Sequence, residues 1–273
     1  MDTYTLTAKD GISNLRDIIF RKPSVNALQE AVDVDIAEDG TWSLRPGRGA
    51  SKFTGTPHSI DPKNSGLFMN GATLRRITSI ATTPYTTISI ATLSNSNPVV
   101  YASLPGRGIA VSNGYDIGIV KDDRYTAFST PEMQYKRKMP GGQILTLHSG
   151  TLYVAKGNEI YYSDPHAYGI IDTRNKKKRF KGYITMMVSV DDGLYIADGI
   201  DTFFYAGTSP HEMTVKLVAD YPAIYGMSAT VERRLVGDGS IQGAVAYWLS
   251  SKGVCMGTSG GNFVNLTIER YPS

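Results

Sequence analysis

Leu152-Tyr153-Val154-Ala155, then Gly157, then Ile160-Tyr161-Tyr162: this stretch returns as Leu194-Tyr195-Ile196-Ala197, Gly199 and Thr202-Phe203-Phe204. The offset is 42 residues, and the turn glycine and the second apolar run keep their places in both copies. A weaker copy begins 43 residues upstream, as Ile109-Ala110-Val111-Ser112, Gly114 and Ile117-Gly118-Ile119. A degenerate fourth copy reads Val254-Cys255-Met256, Gly260-Gly261 and Phe263-Val264. Each copy has the pattern of a hairpin, two alternating strands around a short polar turn. A period of about 42 residues with four strands per unit is that of a propeller blade. One four-stranded sheet buries its two apolar faces only against neighbours, so the units must stack. Paired aromatics such as Tyr161-Tyr162 and Phe203-Phe204 put one ring on each face of a strand, as a blade between two others requires.

The rest of the chain suits that architecture. Short β runs, Ile77 to Ile80, Thr86 to Thr92 and Pro98 to Ser103, follow one another from about Gly66 without sustained helical periodicity. The expected fold is all-β and β-propeller-like, with about five blades over residues 66–273. The interval from Leu194 to Val254 is 60 residues, which marks an insertion or an irregular blade. A sandwich with chance likeness among its hairpins is the other architecture such spacing allows. Residues 1–65 read as an N-terminal arm and docking hairpin. Within them Ser24 to Asp35 has a short helical pattern capped by Ser24, with Ala27, Leu28 and Ala31 as its stripe. Asp39-Gly40 is a tight turn between two strands, the second at Thr41 to Leu44, and Arg48 to Gly66 reads as an extended linker.

Composition narrows the function. The chain has 273 residues, 28 Lys plus Arg against 25 Asp plus Glu, and a net charge of +3, which is no footprint of a protein that grips nucleic acid mainly by charge. Hydrophobic residues make up 41%, enough for a core and too many for wholesale disorder. A single cysteine, Cys255, excludes an internal disulfide and reads as a buried, inert thiol. The opening MDTYTLTAKD is not a signal peptide, and no apolar run is long enough for a membrane-spanning helix, so the expectation is synthesis in the cytoplasm and no membrane insertion.

Catalytic chemistry is not marked. His58, His148, His166 and His211 lack metal-ligand spacing, and there is no Cys-x-x-Cys, Walker A or Gly-x-Ser-x-Gly pattern. Asp122-Asp123 and Asp191-Asp192-Gly193 read as turn residues. The chain is expected not to be an enzyme, with no catalytic, metal or cofactor residues and no cofactor. The strongest charge feature is Arg174-Asn175-Lys176-Lys177-Lys178-Arg179, read as a loop between two blade hairpins, with Lys136-Arg137-Lys138 one blade earlier. These cations suit contact with DNA phosphates or an acidic partner, or else a solvated loop.

The N-terminal segment carries a resemblance. Gly11-Ile12-Ser13-Asn14, then Asn26-Ala27-Leu28-Gln29-Glu30-Ala31-Val32-Asp33-Val34-Asp35, then Asp39-Gly40, Leu44 and Arg45-Pro46-Gly47 follow an order similar to that of virion proteins of tailed bacteriophages and prophages. In short-tailed phages the similar proteins form the tail nozzle or hub. The resemblance implies a structural virion protein located in the tail, a homohexameric ring, contacts with the adaptor, portal-proximal and other tail proteins, and transient contact with the genome in an ejection channel. It also suggests an arm that docks on a neighbouring subunit or the adaptor ring, with Ile12, Leu15, Ala27, Leu28, Val32 and Trp42 as its apolar anchors. The alternative is a tail-associated propeller that binds or hydrolyses host glycans.

Overall fold

The computed structural model describes residues 34–36, 42–44, 52–61, 63, 65–175, 177–210, 212–232 and 243–267. Two compact units divide the chain, Met1–Ala50 with Leu266–Ser273, and Ser51–Asn265. In the first, β1 (Val34–Ile36) and β2 (Trp42–Leu44) form an antiparallel hairpin with Ile36 opposite Trp42. The hairpin read around Asp39-Gly40 is therefore present. Val34 and Asp35, the end of the expected helix, belong to β1 instead, because a β-branched run pairs more readily than it coils. The remainder of that helical reading lies outside the described residues.

The second unit is all-β and propeller-like. Its strands fall into five four-stranded antiparallel sheets, each made of strands in chain order. Sheet I holds β3 (Pro57–His58), β4 (Leu67–Asn70), β5 (Thr73–Ser79) and β6 (Thr86–Thr92). Sheet II holds β7 (Val100–Leu104), β8 (Gly108–Ser112), β9 (Ile117–Lys121) and β10 (Arg124–Ala127). A separate pair, β11 (Lys136–Lys138) with β15 (Ile170–Asp172), flanks sheet III, which consists of β12 (Ile144–His148), β13 (Thr151–Lys156), β14 (Glu159–Tyr162) and β16 (Lys177–Arg179). Sheet IV holds β17 (Met186–Val190), β18 (Gly193–Ala197), β19 (Thr202–Ala206) and β20 (Thr214–Ala219). Sheet V holds β21 (Ala223–Val231), β22 (Val245–Ser250), β23 (Gly253–Thr258) and β24 (Asn262–Asn265). The first strands β7, β12, β17 and β21 run side by side, as inner strands around an axis do.

Period-two alternation builds the seams between sheets. Leu152 and Val154 of β13 face sheet II, where they pack with Ala110 and Ile117. Their neighbours Tyr153 and Ala155 face sheet IV and meet Leu194 and Ile196. Tyr195 and Ala197 turn the other way, onto Ala246, Trp248 and Cys255 of sheet V. Leu67, Met69 and Leu74 of sheet I pack on Val111 and Val120 of sheet II. Tyr161 and Tyr162, and Phe203 and Phe204, divide between opposite seams as the sequence pattern requires. Five sheets thus share four cores, and among the described residues no core joins sheet V to sheet I. The outer face of sheet I is closed locally: Phe68 packs on the ring of Phe53, which meets Tyr85 edge-on, and Arg75 donates to Thr87 and Ser89. That of sheet V leaves Leu249 and Val264 exposed.

The repeat glycines do what the sequence pattern asks. Gly114, Gly157 and Gly199 sit in the turns between second and third strands with φ of +89, +63 and +78°, where any Cβ is strained. Two boundaries differ from the sequence reading. The propeller unit starts at Ser51, not residue 66, because β3 and its flanks complete sheet I within the expected linker. The fourth repeat copy is out of phase: Val254-Cys255-Met256 and Phe263-Val264 are the third and fourth strands of sheet V, not the second and third.

Candidate functional site

Of the two basic segments expected to be loops, Lys136–Lys138 and Lys177–Arg179 are strands, while Arg174 and Asn175 lie in the turn after β15. β16 is the outermost strand of sheet III, and β11 pairs with β15 in the long connection from β14 to β16. Lysines on an outer strand keep its free edge from pairing with other chains, which accounts for their density there. The strand pairing brings the segments together. Lys136 stands opposite Asp172 in register, and its Nζ lies 3.3 Å from both Asp172 and Asp164. Arg174 grips the same Asp172 with Nη2 at 2.6 Å and Nε at 3.0 Å, while its guanidinium lies 4.9 Å over the Tyr135 ring. Hydrogen bonds from Arg174, then Lys136, hold the Asp172 carboxyl far below the usual carboxylate range.

Glu159 plays the same part for β16. It accepts from Tyr161 Oη at 2.5 Å, from Arg179 Nη2 at 2.8 Å and from Lys177 Nζ at 3.4 Å. Those bonds, the tyrosine's first, bring its pKa down to about 2. Lys177 and Arg179 share one face of β16, and Lys178 points to the other, its ammonium 4.2 Å over the Tyr205 ring. A cleft of about 140 Å³ lies between the two ion-pair groups, lined by Tyr161, Ile171, Asp172, Thr173 and Lys177. Arg137 and Lys138 have no carboxylate within ion-pair distance among the described residues. Most of the cationic charge is therefore engaged internally, and the surplus suits weak, salt-sensitive attraction of a polyanion. Lys176 lies outside the described residues. So do Ile12, Leu15, Ala27, Leu28 and Val32 of the expected docking arm, and Trp42 is described only as a backbone position of β2.

Because the acidity of Glu159 is raised by folding, its contribution is complete above the ordinary glutamate range. It is lost as pH falls from there toward about 2. Lys177 and Arg179 are more than half exposed, so the contribution is screened. Glu159→Gln is expected to lower stability at neutral pH by about 1 kcal/mol or less. The gap to the unsubstituted protein closes in acid, which thermal melts at pH 7 and pH 3 in low salt would read.

The acidic turns serve the fold. Asp122 and Asp123 turn from β9 to β10 with φ of 49 and 59°, and Asp123 pairs with Arg76 at 2.6 Å. Asp192 accepts from Gly260 N at 2.7 Å, and Asp191 from Ala244 N at 3.3 Å, tying sheet IV to sheet V. His148 is buried and bridges Ser189 Oγ and the Gly207 carbonyl, each at 2.9 Å. The Gly207 carbonyl accepts from Nε2.

One feature escaped the sequence reading. Between Ala223 and Ser228 the β21 ladder slips, and Ile224-Tyr225-Gly226-Met227 bulges out of sheet V with its three side chains exposed. Tyr225 Oη donates to the Gln143 carbonyl at 3.1 Å, just before β12, and its ring meets Tyr183 edge-on at 6.5 Å. Tyr183, Ile200 and Tyr115 are exposed on turns at the same end of the sheets. Gly226, at φ +76°, is the single local signal for this bulge.

No family model and no curated protein matches the chain. Among solved structures, the extracellular domain of BT4673 from B. thetaiotaomicron is similar in two determinations. The one described as a one-component system aligns with a TM-score of 0.48 at 12% identity. The one described as a hybrid two-component system aligns with a TM-score of 0.47 at 13% identity. Each alignment covers 77% of this chain, which spans 28% of the length of those structures.

Proposed function

We propose that the chain is a structural subunit of a bacteriophage tail, part of the nozzle or hub ring below the portal and adaptor that forms the DNA ejection channel. The observation that carries the reading is the N-terminal order from Gly11-Ile12-Ser13-Asn14 to Arg45-Pro46-Gly47, set ahead of an array of blades. Two features of the array are in keeping with it. A conduit wall must let DNA pass, and each firm phosphate contact adds a counterion-release contribution that would hold the strand back. Cations engaged by Asp164, Asp172 and Glu159 limit that grip. Tyr225 also reaches from the bulge of β21 in sheet V to the Gln143 carbonyl just ahead of β12, which would narrow a passage at that end of the array. DNA would accordingly pass between subunits of a ring rather than through a single propeller.

The partners on this reading are five further copies in a hexamer, the adaptor and neighbouring tail proteins, and the genome in transit, in the tail of the virion. Mass photometry of the purified protein with negative-stain imaging tests it. Rings of six or twelve subunits with a central hole are expected, and deletion of residues 1–20 should abolish them. A stable trimer overturns the reading. It would favour instead a tail-associated propeller that binds glycans, for which the exposed Tyr115, Tyr183 and Tyr225 provide stacking faces.

A further inference from the structure

A second pocket lies between sheets III and IV, on the side of β16 away from the ion pairs. We propose that it binds a small apolar carboxylate, with Tyr153 and Lys178 holding the oxygens and the seam side chains holding the body. Its wall is apolar and aromatic, with Ile160, Phe180, Leu194 and Tyr205 on it. Tyr153 and Lys178 bring polar groups to that wall. The Tyr153 side chain is buried, at 3% exposure, and its hydroxyl has no hydrogen-bond partner. Burial pushes that phenol well above the ordinary tyrosine range, so it stays protonated and acts as a donor. Lys178 lines the same pocket, and no carboxylate among the described residues lies within ion-pair distance of its ammonium. Its one charge partner there is the Tyr205 ring. Tyr162, also in the wall, already donates to the Asn175 carbonyl.

The pocket therefore offers an unpartnered phenol hydroxyl, which can donate or accept, and one charged donor. A few convergent polar groups in an apolar cleft are the usual makings of a small-molecule site. A buried donor without a partner is costly, and Lys178, exposed to solvent on β16, places a positive charge beside it. A carboxylate answers both, since it accepts from the phenol and neutralises the ammonium. A ligand cation would be repelled by Lys178, and a neutral alcohol would leave its charge unmatched.

The void is about 30 Å³ as it stands, the size of one water. Room for more comes from Lys178 itself. Its stem lies along the apolar wall, and it belongs to a three-residue outer strand paired on one side only, to β14. Swinging the stem outward frees the wall for the ligand body and leaves the ammonium at the mouth to meet the carboxylate. The site is independent of the tail reading.

Methyl NMR of the full chain titrated with benzoate tests it, with benzyl alcohol and benzylammonium as controls of like shape. Benzoate is expected to bind in the millimolar range and to shift the methyls of Ile160, Leu194 and Ile196. Benzyl alcohol should bind about tenfold more weakly, the size of one lost charge-assisted contact, and benzylammonium not at all. Lys178→Met keeps the stem and removes the charge, and should bring benzoate down to the level of the alcohol. Tyr153→Phe, which removes one oxygen at constant shape, should weaken benzoate several-fold and keeps the test open if the lysine variant fails to fold. Equal binding of benzoate and benzyl alcohol, shifts confined to other methyls, or no binding of benzoate overturns the proposal.

Discussion

Trp248→Ala is expected to cost about 3–5 kcal/mol, the range for removing a large buried aromatic. Trp248 is 2% exposed on β22. Its indole stacks on Phe263 at 5.6 Å and leans on Tyr195 at 5.4 Å, and Tyr195 in turn touches Phe204 at 4.8 Å. Tyr195 Oη also reaches the carbonyls of Thr258, at 2.6 Å, and Asn262, at 2.9 Å, so the ring stack fixes the turn that closes sheet V. The alanine opens a cavity that neighbouring rings cannot fill, since each is held by its own strand. The effect is local as well as large. Sheet V shares one core among the described residues, the one with sheet IV, so nothing on its far side holds it when that core is weakened. Hydrogen exchange should show β22 to β24 losing protection first while sheets II and III keep theirs. Trp248→Phe is the control. The indole Nε1 is buried without a partner, so the phenylalanine removes an unsatisfied donor while keeping a ring. Its cost should stay under about 1.5 kcal/mol. A loss below about 1 kcal/mol for the alanine, or protection lost evenly across all five sheets, would show that sheet V is held elsewhere.

The seams were legible in the sequence where a strand is buried on both faces. Leu152 to Ala155 and Leu194 to Ala197 are second strands of sheets III and IV, and both faces of each are packed, so their composition is constrained at every position. Sheet I lies at one end of the array, and β5 and β6 carry Arg75, Thr87 and Ser89 on the outward face. One face free of apolar constraint erases the repeat pattern there, although β5 and β6 still read as strands; only the two-residue β3 falls within the expected linker. Sheet V lies at the other end, and its copy was recognised one strand out of phase because any hairpin with a glycine turn fits a degenerate pattern. The basic segments stand out in the sequence as charge, but Lys136–Lys138 and Lys177–Arg179 carry no strand signal there. What settles them as strands is non-local: Lys136 pairs across to Asp172, and Lys177 to Tyr161. The acceptors that engage these cations, Asp164, Asp172 and Glu159, lie up to 36 residues away in sequence and carry no pattern of their own.

Gly182→Ala should be more damaging than substitution of the glycines that define the repeat. A Cβ at Gly182 would sit 2.0 Å from the Asp198 carbonyl oxygen, and one at Gly142 2.1 Å from that of Ala155. Both glycines lie shortly before an inner strand, β17 or β12, where the incoming chain presses on the end of the second strand of its own sheet. The obstacle is backbone in both cases, and the adjoining pairing is fixed by Thr185 N to Ala197 O at 2.9 Å and Gln143 N to Ala155 O at 2.8 Å. Neither atom can yield without moving an inner strand, and overpacking of this kind costs about 2–3 kcal/mol. Gly157→Ala is the contrast. Its φ is +63°, but a Cβ there meets nothing within 4 Å, so the cost is the left-handed backbone alone, about 1 kcal/mol. Gly142 and Gly182 lie in different seams, so their effects should add to within about 0.5 kcal/mol in the double variant. Urea titrations of the four variants give the ranking directly. If Gly157→Ala proved the more costly, turn conformation rather than close packing at the inner strands would be what sets the spacing of the blades.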